Sequence, residues 1–182
     1  MSAEGEGEGE GLEGLHPVRN DDPPQRRRAL RPSHGVDVTS DVARSPLALC
    51  AVRRLALHVL RAERIPQAQL SIAFVSPARI ARLHRRWVGV AGPTDIVTLE
   101  HARAVAGAPV VGEVYIAPEV ARANARALGI APRDEVARLV VHGVLHALGW
   151  DHPTDQRRVA SPMWRRQEAL LRRAQRTGVL SR

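Results

Sequence analysis

The sequence predicts a single α/β (α+β) domain in which short strands surround a central buried helix. Segments that alternate apolar and polar residues, as strands do, are interspersed with segments whose apolar residues recur at helical spacing. The segment LVVHGVLHAL, residues 139–148, is apolar on almost every side, which is typical of a helix covered on several faces. The chain has 182 residues, 44% of them hydrophobic, enough for one domain with its own core.

Residues 1–33 are predicted to form a disordered tail and residues 34–182 the folded domain. An acidic Gly/Glu repeat is followed by NDDPPQRRRALRPS, and neither composition can bury enough apolar surface to offset chain entropy. The N-terminus lacks the apolar stretch of a secretory signal peptide, and no apolar run reaches the ~18 residues of a transmembrane helix. A lone cysteine, Cys50, gives no disulfide framework. These features favour a soluble cytoplasmic protein with no membrane partner.

The first half of the domain is predicted to alternate strands and helices. Strands are expected at 35–39 and 69–75. A helix over 46–64 is expected to have Ser45 as its N-cap and Pro46 in its first turn, and a helix ending near Trp87 has Ser76 as its N-cap. The buried face of this second helix is predicted to consist of Ile80, Leu83 and Trp87.

The second half begins with two further strands, expected at 94–100 and 110–117. A helix over 118–129 is expected to end at Gly129, and a helix over 132–149 to end at Gly149. A terminal helix is expected within 154–178, interrupted or started near Pro162.

Three of the eight histidines, His142, His146 and His152, lie within VVHGVLHALGWDHPTD. Residues four apart share one face of a helix, so His142 and His146 project side by side. Gly149 allows a left-handed turn that can bring His152 back to face them. Three imidazoles around one point predict a tetrahedral zinc site whose open fourth position holds a water, with the pKa of that water lowered to roughly 7. A purely structural histidine cluster is the alternative.

The same spacing occurs in the metzincin protease pattern H-E-x-x-H-x-x-G-x-x-H. The glutamate that serves as general base in those proteases is replaced here by Gly143. The metal ligands are therefore present without the residue that would take a proton from the zinc-bound water, which argues against peptide hydrolysis by that mechanism.

The segment HGVLHALGWDH, residues 142–152, resembles the H-G-x-L-H-x-x-G-[YW]-D-H signature of the YbeY family of metal-dependent endoribonucleases. Residues 85–100 are similar to the family segment ending in P-T-D-V-L-S-F, and residues 111–117 to its G-D-[IV]-x-I strand. Met163 and Gln167 match a terminal M-x-x-x-[EQ] pattern. The resemblance covers about residues 35–178.

The resemblance implies a short four-stranded sheet around a central helix, one Zn²⁺ per chain held by the three histidines, and cleavage of single-stranded RNA. It also implies maturation of the 3′ end of small-subunit rRNA, ribosome quality control, and the small ribosomal subunit as a partner. The oligomeric state is not implied.

Two positions depart from the family pattern. The family often has an arginine after the aromatic residue of this stretch and an aspartate three residues later; this chain has Val88 and Ala91. Arg86, or less favoured Arg85, near the end of the helix is the predicted substitute, because a guanidinium suits phosphate recognition. The alternative is that both arginines are solvated residues at the helix end.

Other polar residues near the motifs have two interpretations each. Asp151 either orients a ligand histidine or caps the turn. Thr94 and Asp95 line the cleft or make ordinary turn contacts, and Glu113 points at the site or at solvent. Met163 packs beneath the metal or in the core.

The net charge of +8 comes entirely from arginine. It favours a polyanionic partner such as RNA. The absence of lysine also fits a coding bias, and many arginines fall on predicted helix faces where solvation explains them. The sequence thus predicts a zinc hydrolase acting on RNA phosphodiesters. The rivals are a metalloprotease and a non-catalytic, zinc-stabilised ribosome assembly factor.

Overall fold

The computed structural model describes residues 33–101, 105 and 107–181. The prediction of a disordered tail over 1–33 falls outside these residues, except at Ser33. Ser33 begins the first strand, and its backbone N–H donates to the carbonyl of Pro66 at 3.0 Å. The folded part of the chain therefore includes one residue that was assigned to the tail.

Within the described residues, four strands and five α-helices confirm the predicted fold class. Their order is β1 (Ser33–Ser40), α1 (Leu49–Ala62), β2 (Gln67–Phe74), α2 (Pro77–Val88), β3 (Ile96–His101), β4 (Val110–Ile116), α3 (Pro118–Ala127), α4 (Pro132–Ala147) and α5 (Pro162–Arg176). A short 3-10 helix, Gln156–Ala160, precedes α5, so the terminal helix starts at Pro162 as expected. No helix in the described ranges combines the length and apolarity that crossing a membrane requires.

The four strands form one mixed sheet in the order β1-β2-β4-β3. β1 pairs with β2 and β2 with β4 in parallel, whereas β3 runs antiparallel to β4. The register places Ile72 beside Val114 and Val114 beside Thr98. β3 is therefore an edge strand, and one side of it remains open to form a cleft.

Helix α4 lies at the centre of the domain, where it contacts β3, β4, α1, α3 and α5. Asp134 and Glu135 in its first turn interact favourably with the helix dipole, and Pro132 occupies the first turn without losing a hydrogen bond. Its buried residues come from every side of the helix, as the apolar segment predicted: Val136, Ala137, Leu139, Val140, Val141, Val144, Leu145 and Ala147. A rigid, covered helix thus supports the histidine motif.

The predicted helix starts were right in one case and wrong in another. Ser76 caps α2 by accepting a hydrogen bond from the backbone N–H of Arg79. Ser45 does not cap α1, which begins at Leu49 after Ala48. The Ser45 hydroxyl instead exchanges hydrogen bonds with the backbone of Leu47, forming a local turn that delays the helix.

The predicted buried face of α2 was partly wrong. Ile80 is fully buried and Leu83 half-buried, but Trp87 is 55% exposed. The last turn of α2 extends past the second, smaller hydrophobic cluster to which Ile80 belongs, so Trp87 has no core to enter. Because Trp87 points to solvent, the side chains of α2 that face the three histidines are those of His84 and Val88.

Candidate metal centre

His142, His146 and His152 converge on one point, as the spacing predicted. The Nε2 atom of His146 lies 3.1 Å from that of His142 and 3.3 Å from that of His152. The remaining pair, His142 and His152, is separated by 3.5 Å. Among the described residues, these three form the group able to hold a metal ion.

The turn after α4 brings His152 to the helix. Gly149 has a φ of +87°, in the left-handed region that favours glycine. Its N–H donates to the carbonyl of His146 at 2.8 Å, and the N–H of Trp150 donates to Leu145 at 3.0 Å. These bonds close the helix and reverse the chain toward the first two histidines.

The hydrogen bonds of the imidazoles direct their Nε2 lone pairs inward. His142 Nδ1 donates to Oε1 of Gln167 at 2.8 Å, and His152 Nδ1 donates to the carbonyl of Pro153 at 2.8 Å. Burial, reinforced by the neighbouring His146, lowers the pKa of His142 to about 4. Burial and the charge of His152 also lower the pKa of His146. The pair is thus kept neutral at pH 7, the state in which imidazole binds metal.

This geometry fits a zinc ion. Three ligand nitrogens at Zn–N distances of about 2.0–2.1 Å and tetrahedral angles would lie about 3.3–3.4 Å apart. The observed separations of 3.1–3.5 Å bracket that value. Nitrogen lone pairs that face each other at such distances repel unless a cation lies between them. The arrangement of the three nitrogens therefore favours a bound metal ion.

A buried network holds Gln167 in place. Its side-chain Nε2 donates to Oε1 of Glu168 at 3.1 Å, which leaves Oε1 of Gln167 to face His142. Arg138 donates to the same Glu168 oxygen at 3.0 Å and to Glu135 at 2.6 Å. Two carboxylates and one guanidinium on α4 and α5 therefore fix the amide orientation, and the amide fixes the tautomer of His142.

The histidines lie in a cavity of about 480 Å³, here called the metal cleft. Its walls come from the end of α2, from β3, from α4 and from the turn after α4. The lining residues are His84, Val88, Thr94, Ile96, Val97, Thr98, Glu100, His142, His146, Asp151, His152 and Thr154. The metal cleft is open to solvent along the edge strand, so a polymer can reach the histidines.

The chain is similar in sequence to known proteins. The family model described as Endoribonuclease YbeY matches residues 41–175, which is most of the chain. The chain belongs to the YbeY endoribonuclease family. Endoribonuclease YbeY of Thermobifida fusca is 38% identical over 118 residues, covering 59% of this chain and 76% of the relative. Its counterpart in Micrococcus luteus is 36% identical over 115 residues, covering 59% and 73%.

The fold is also similar to a solved structure. The solution structure of TM1509 from Thermotoga maritima superposes with a TM-score of 0.52 at 25% identity, covering 75% of this chain and 86% of that one. The resemblance to the YbeY family is therefore confirmed by the family model and the curated relatives, and the α/β fold by the solved structure.

Asp151 and Thr94, two of the polar residues predicted near the YbeY-type site, line the metal cleft. The Asp151 carboxylate accepts a hydrogen bond from the backbone N–H of His152 at 2.7 Å. It thus holds the main chain at His152, a contact that corresponds to the turn cap offered as one of the two interpretations of Asp151.

Three other residues are placed away from the metal cleft. Asp95 accepts from the side chain of Asn124 at 3.0 Å and faces a neighbouring cavity. Glu113 contacts His101 and Tyr115 on the opposite side of β3 and β4. Burial and this contact raise the pKa of Tyr115 to about 12. Met163 is fully buried in the main core.

At the end of α2, the structure differs from the expectation that Arg86 or Arg85 takes the place of the arginine found in the YbeY family. Val88 lines the metal cleft, so the position at which the family often has arginine does face the histidines. Arg86 does not line it; its guanidinium lies 5.4 Å from the ring centroid of exposed Trp87. Arg85 and Arg86 line a separate surface cavity with Arg82. The catalytic role of Arg86 stays a prediction that this placement does not favour.

Two titratable lining residues, His84 and Glu100, were not identified from the sequence. His84 lies one helical turn before Val88, and its Nδ1 donates to the carbonyl of Gly92 at 3.1 Å. Glu100 shares one side of β3 with Ile96 and Thr98, all three of which line the metal cleft. Side chains of a strand alternate between its two faces, so assigning Ile96 to the face that packs on α4 would also have placed Thr98 and Glu100 on that face.

Proposed function

We propose that the chain is a zinc-dependent endoribonuclease that cleaves single-stranded RNA in the maturation of the 3′ end of small-subunit rRNA and in ribosome quality control. One observation carries this proposal: three imidazole nitrogens within 3.5 Å of one another, in an open cleft, in a member of the YbeY endoribonuclease family. The relatives named above are endoribonucleases, which makes RNA the substrate class.

His142, His146 and His152 would hold one Zn²⁺ per chain, with Gln167 and the Pro153 carbonyl orienting two of the rings. When bound, zinc in such a site polarises a phosphoryl oxygen and lowers the pKa of a coordinated water. The preference for zinc follows from three neutral nitrogen donors at tetrahedral separations.

Glu100 and Asp151 supply carboxylates to the metal cleft. Because Asp151 is bound to the backbone of His152, Glu100 is the better proton acceptor for an attacking water or hydroxyl. It would occupy the role of the glutamate that the metzincin pattern has at position 143.

Electrostatics and location follow from the same proposal. The net charge of +8 favours a polyanion, and the small ribosomal subunit in the cytoplasm is the proposed setting. Phosphate contacts by arginine would make binding weaken as salt rises.

We propose that residues 34–182, together with the observed strand residue Ser33, form the catalytic domain and that the preceding residues are a dispensable tail. The composition of that segment supports this division. Deletion of residues 1–32 should leave the thermal midpoint and bound zinc unchanged. A large fall in the midpoint would show that the segment belongs to the fold.

The protease rival is weakened by the packing of Gly143. A Cβ added at this position would overlap Cγ1 of Val114 and lie 3.0 Å from Cδ1 of Ile96. A glutamate cannot fit there without separating α4 from the sheet. A metal bound by the three histidines would thus lack the protease base, and the remaining rival is a zinc-stabilised assembly factor that lacks catalysis.

The test combines metal analysis with an RNA assay. Purified protein should contain about one zinc per chain and cleave a single-stranded oligoribonucleotide faster than the same sequence in a duplex. His146→Ala should lose both zinc and cleavage, whereas His101→Ala, an exposed histidine outside the metal cleft, should lose neither. Zinc retention without cleavage would support the assembly factor, and peptide hydrolysis sensitive to a chelator would support the protease.

The prediction that Arg86 or Arg85 contacts the reacting phosphate is tested with separate variants. If Arg86→Ala and Arg85→Ala each keep full cleavage with normal zinc content, neither arginine takes part in the reaction. A loss of at least tenfold in Arg86→Ala would support the prediction made from the sequence.

A further inference from the structure

A second cavity of about 480 Å³ lies beside the metal cleft and is here called the side pocket. The two cavities share His142 and Ile96 as walls. The side pocket is further lined by Asp95, Leu128, Ile130, Glu135, Arg138, Leu139, Arg158, Val159, Trp164 and Gln167. Its volume falls within the roughly 300–1,000 Å³ typical of small-ligand sites.

The walls of the side pocket expose apolar surface. Leu128 is 68% exposed and Val159 is 56% exposed, although both are large aliphatic residues. Trp164, which also lines the side pocket, is half-buried. Exposed apolar side chains gathered around one concavity are typical of a binding site rather than of ordinary surface.

The side pocket also has one available positive charge. Arg138 is bound by Glu135 and Glu168 and is neutralised. Arg158 forms no ion pair with a carboxylate in the part of the chain that the structure describes, and its guanidinium lies 5.6 Å from the ring centroid of Trp164. An aromatic ring and an available guanidinium thus occur together, next to a metal ligand.

We propose that the side pocket is a nucleotide subsite, in which a nucleobase adjoining the scissile phosphate lies against Trp164 while Arg158 contacts the phosphodiester backbone. The proposal rests on RNA being the substrate. A nucleotide combines a flat aromatic ring with an anion, and the side pocket offers an apolar aromatic wall with a cation at the boundary of the metal cleft. Bases in single strands stack on both aromatic rings and guanidinium planes.

This assignment also accounts for the departure at Val88. Val88 leaves the α2 side of the metal cleft without the arginine that the family often has there. Arg158 belongs to the 3-10 helix and lines the side pocket together with His142. The positive charge beside the reacting phosphate is thus supplied by the 3-10 helix instead of by α2.

The test uses binding, so that it does not depend on cleavage. Two fluorescent 12-mers are compared by anisotropy with zinc-loaded protein: an oligouridylate, and a ribose-phosphate chain of equal charge that lacks bases. Wild-type protein should bind the oligouridylate about tenfold more tightly, as expected for one stacked base. In Trp164→Ala this ratio should fall to near one, with the affinity for the abasic chain unchanged, and Trp164→Phe should restore most of it.

Two further variants separate the parts of the subsite. Val159→Asp places a charge on an exposed wall without disturbing the core, and it should also abolish the preference for bases. Arg158→Ala should weaken binding of both 12-mers, whereas Arg172→Ala, an exposed arginine on α5 outside the side pocket, should weaken them less.

Equal affinity of wild-type protein for the two 12-mers would overturn the proposal, as would an unchanged ratio in both Trp164→Ala and Val159→Asp. Failure to bind either oligomer would overturn it as well. If the preference for bases is present but no RNA is cleaved, the subsite stands and the proposed nuclease activity fails.

Discussion

Oε1 of Gln167, on α5, accepts a hydrogen bond from Nδ1 of His142, on α4, at 2.8 Å. The amide cannot rotate freely, because its Nε2 donates to Glu168, which is in turn bound by Arg138. The proton of His142 is therefore held on Nδ1, and the lone pair of Nε2 faces the other two histidines. A side chain 25 residues away in sequence thus decides whether His142 is able to bind metal.

Gln167→Met should weaken zinc binding. Methionine fills a similar buried space, but its thioether accepts only a weak hydrogen bond from the Nδ1–H of His142, so the ring loses its orientation. Loss of such a partner typically costs about 10–100-fold in metal affinity. Competition with a chromophoric chelator measures the change, and Gln175→Met, on the exposed side of the same helix, is the control. Equal zinc affinity in the two variants would contradict the role assigned to Gln167.

Gly143→Ala should destabilise the protein even though alanine favours helix. At an open helical site the change would stabilise by about 1 kcal/mol. Here the new Cβ would overlap Val114 and crowd Ile96, where overpacking costs about 1–3 kcal/mol. Denaturant unfolding of the metal-free protein gives the free energy of unfolding. An increase in that free energy would show that α4 can move away from the sheet at little cost.

The sequence predicted that His142, His146 and His152 come together, because their geometry is local. His142 and His146 are one helical turn apart, and the positive φ of Gly149 determines the approach of His152. The extent of α4 was predicted to within two residues, since proline at its start and glycine after its end are strong signals.

The lining of the cavities was harder to predict because it depends on long-range packing. The side pocket combines residues from the α3–α4 connection, α4, the 3-10 helix and α5. Trp87 was assigned to the core on helical periodicity alone, but α2 lies at the edge of the sheet, where periodicity does not indicate which side is covered. In the structure His84 lines the metal cleft, whereas Arg86 lies beside the exposed Trp87 ring.

Stability of the metal-free protein should fall as the pH falls from about 6.5 to about 4. Burial keeps the pKa of His142 at about 4, whereas an unfolded histidine titrates near 6.5. Between pH 6.5 and pH 4 the unfolded state binds more protons than the folded state, so lowering the pH favours unfolding. The free energy of unfolding should fall by on the order of 3 kcal/mol across this pH range. The lowered pKa of His146 acts in the same direction.

Urea unfolding in the presence of a chelator, at pH 7 and at pH 4.5, measures this dependence. His142→Gln should lose much of it, because the variant has no imidazole to protonate. Parallel pH profiles for the wild type and the variant would mean that His142 is not protected from protonation by the fold.

Glu100→Gln should slow RNA cleavage without releasing zinc. If Glu100 accepts a proton in the reaction, the loss in kcat is about 10²–10⁴-fold, and the acidic limb of the pH–rate profile changes with it. Glu119→Gln removes an exposed carboxylate from the first turn of α3 and is the matched control. Full activity in Glu100→Gln would remove the carboxylate of β3 from the mechanism.

Val88→Arg should increase RNA cleavage, because it places a guanidinium on the wall of the metal cleft that contains the three histidines. Val88 is 56% exposed, so the longer side chain can be accommodated without disturbing the core. One charge-assisted contact with the phosphate of about 1 kcal/mol would raise kcat/KM on the order of fivefold.

Val90→Arg is the control: it adds the same charge two residues later, at a position that does not line the metal cleft, and should have a smaller effect. Rates measured at low and high salt separate a specific contact from a general gain in charge, since the general gain is screened. Equal stimulation by the two variants, abolished by salt, would show that position 88 contributes only to the overall field and that its side chain does not reach the reacting phosphate.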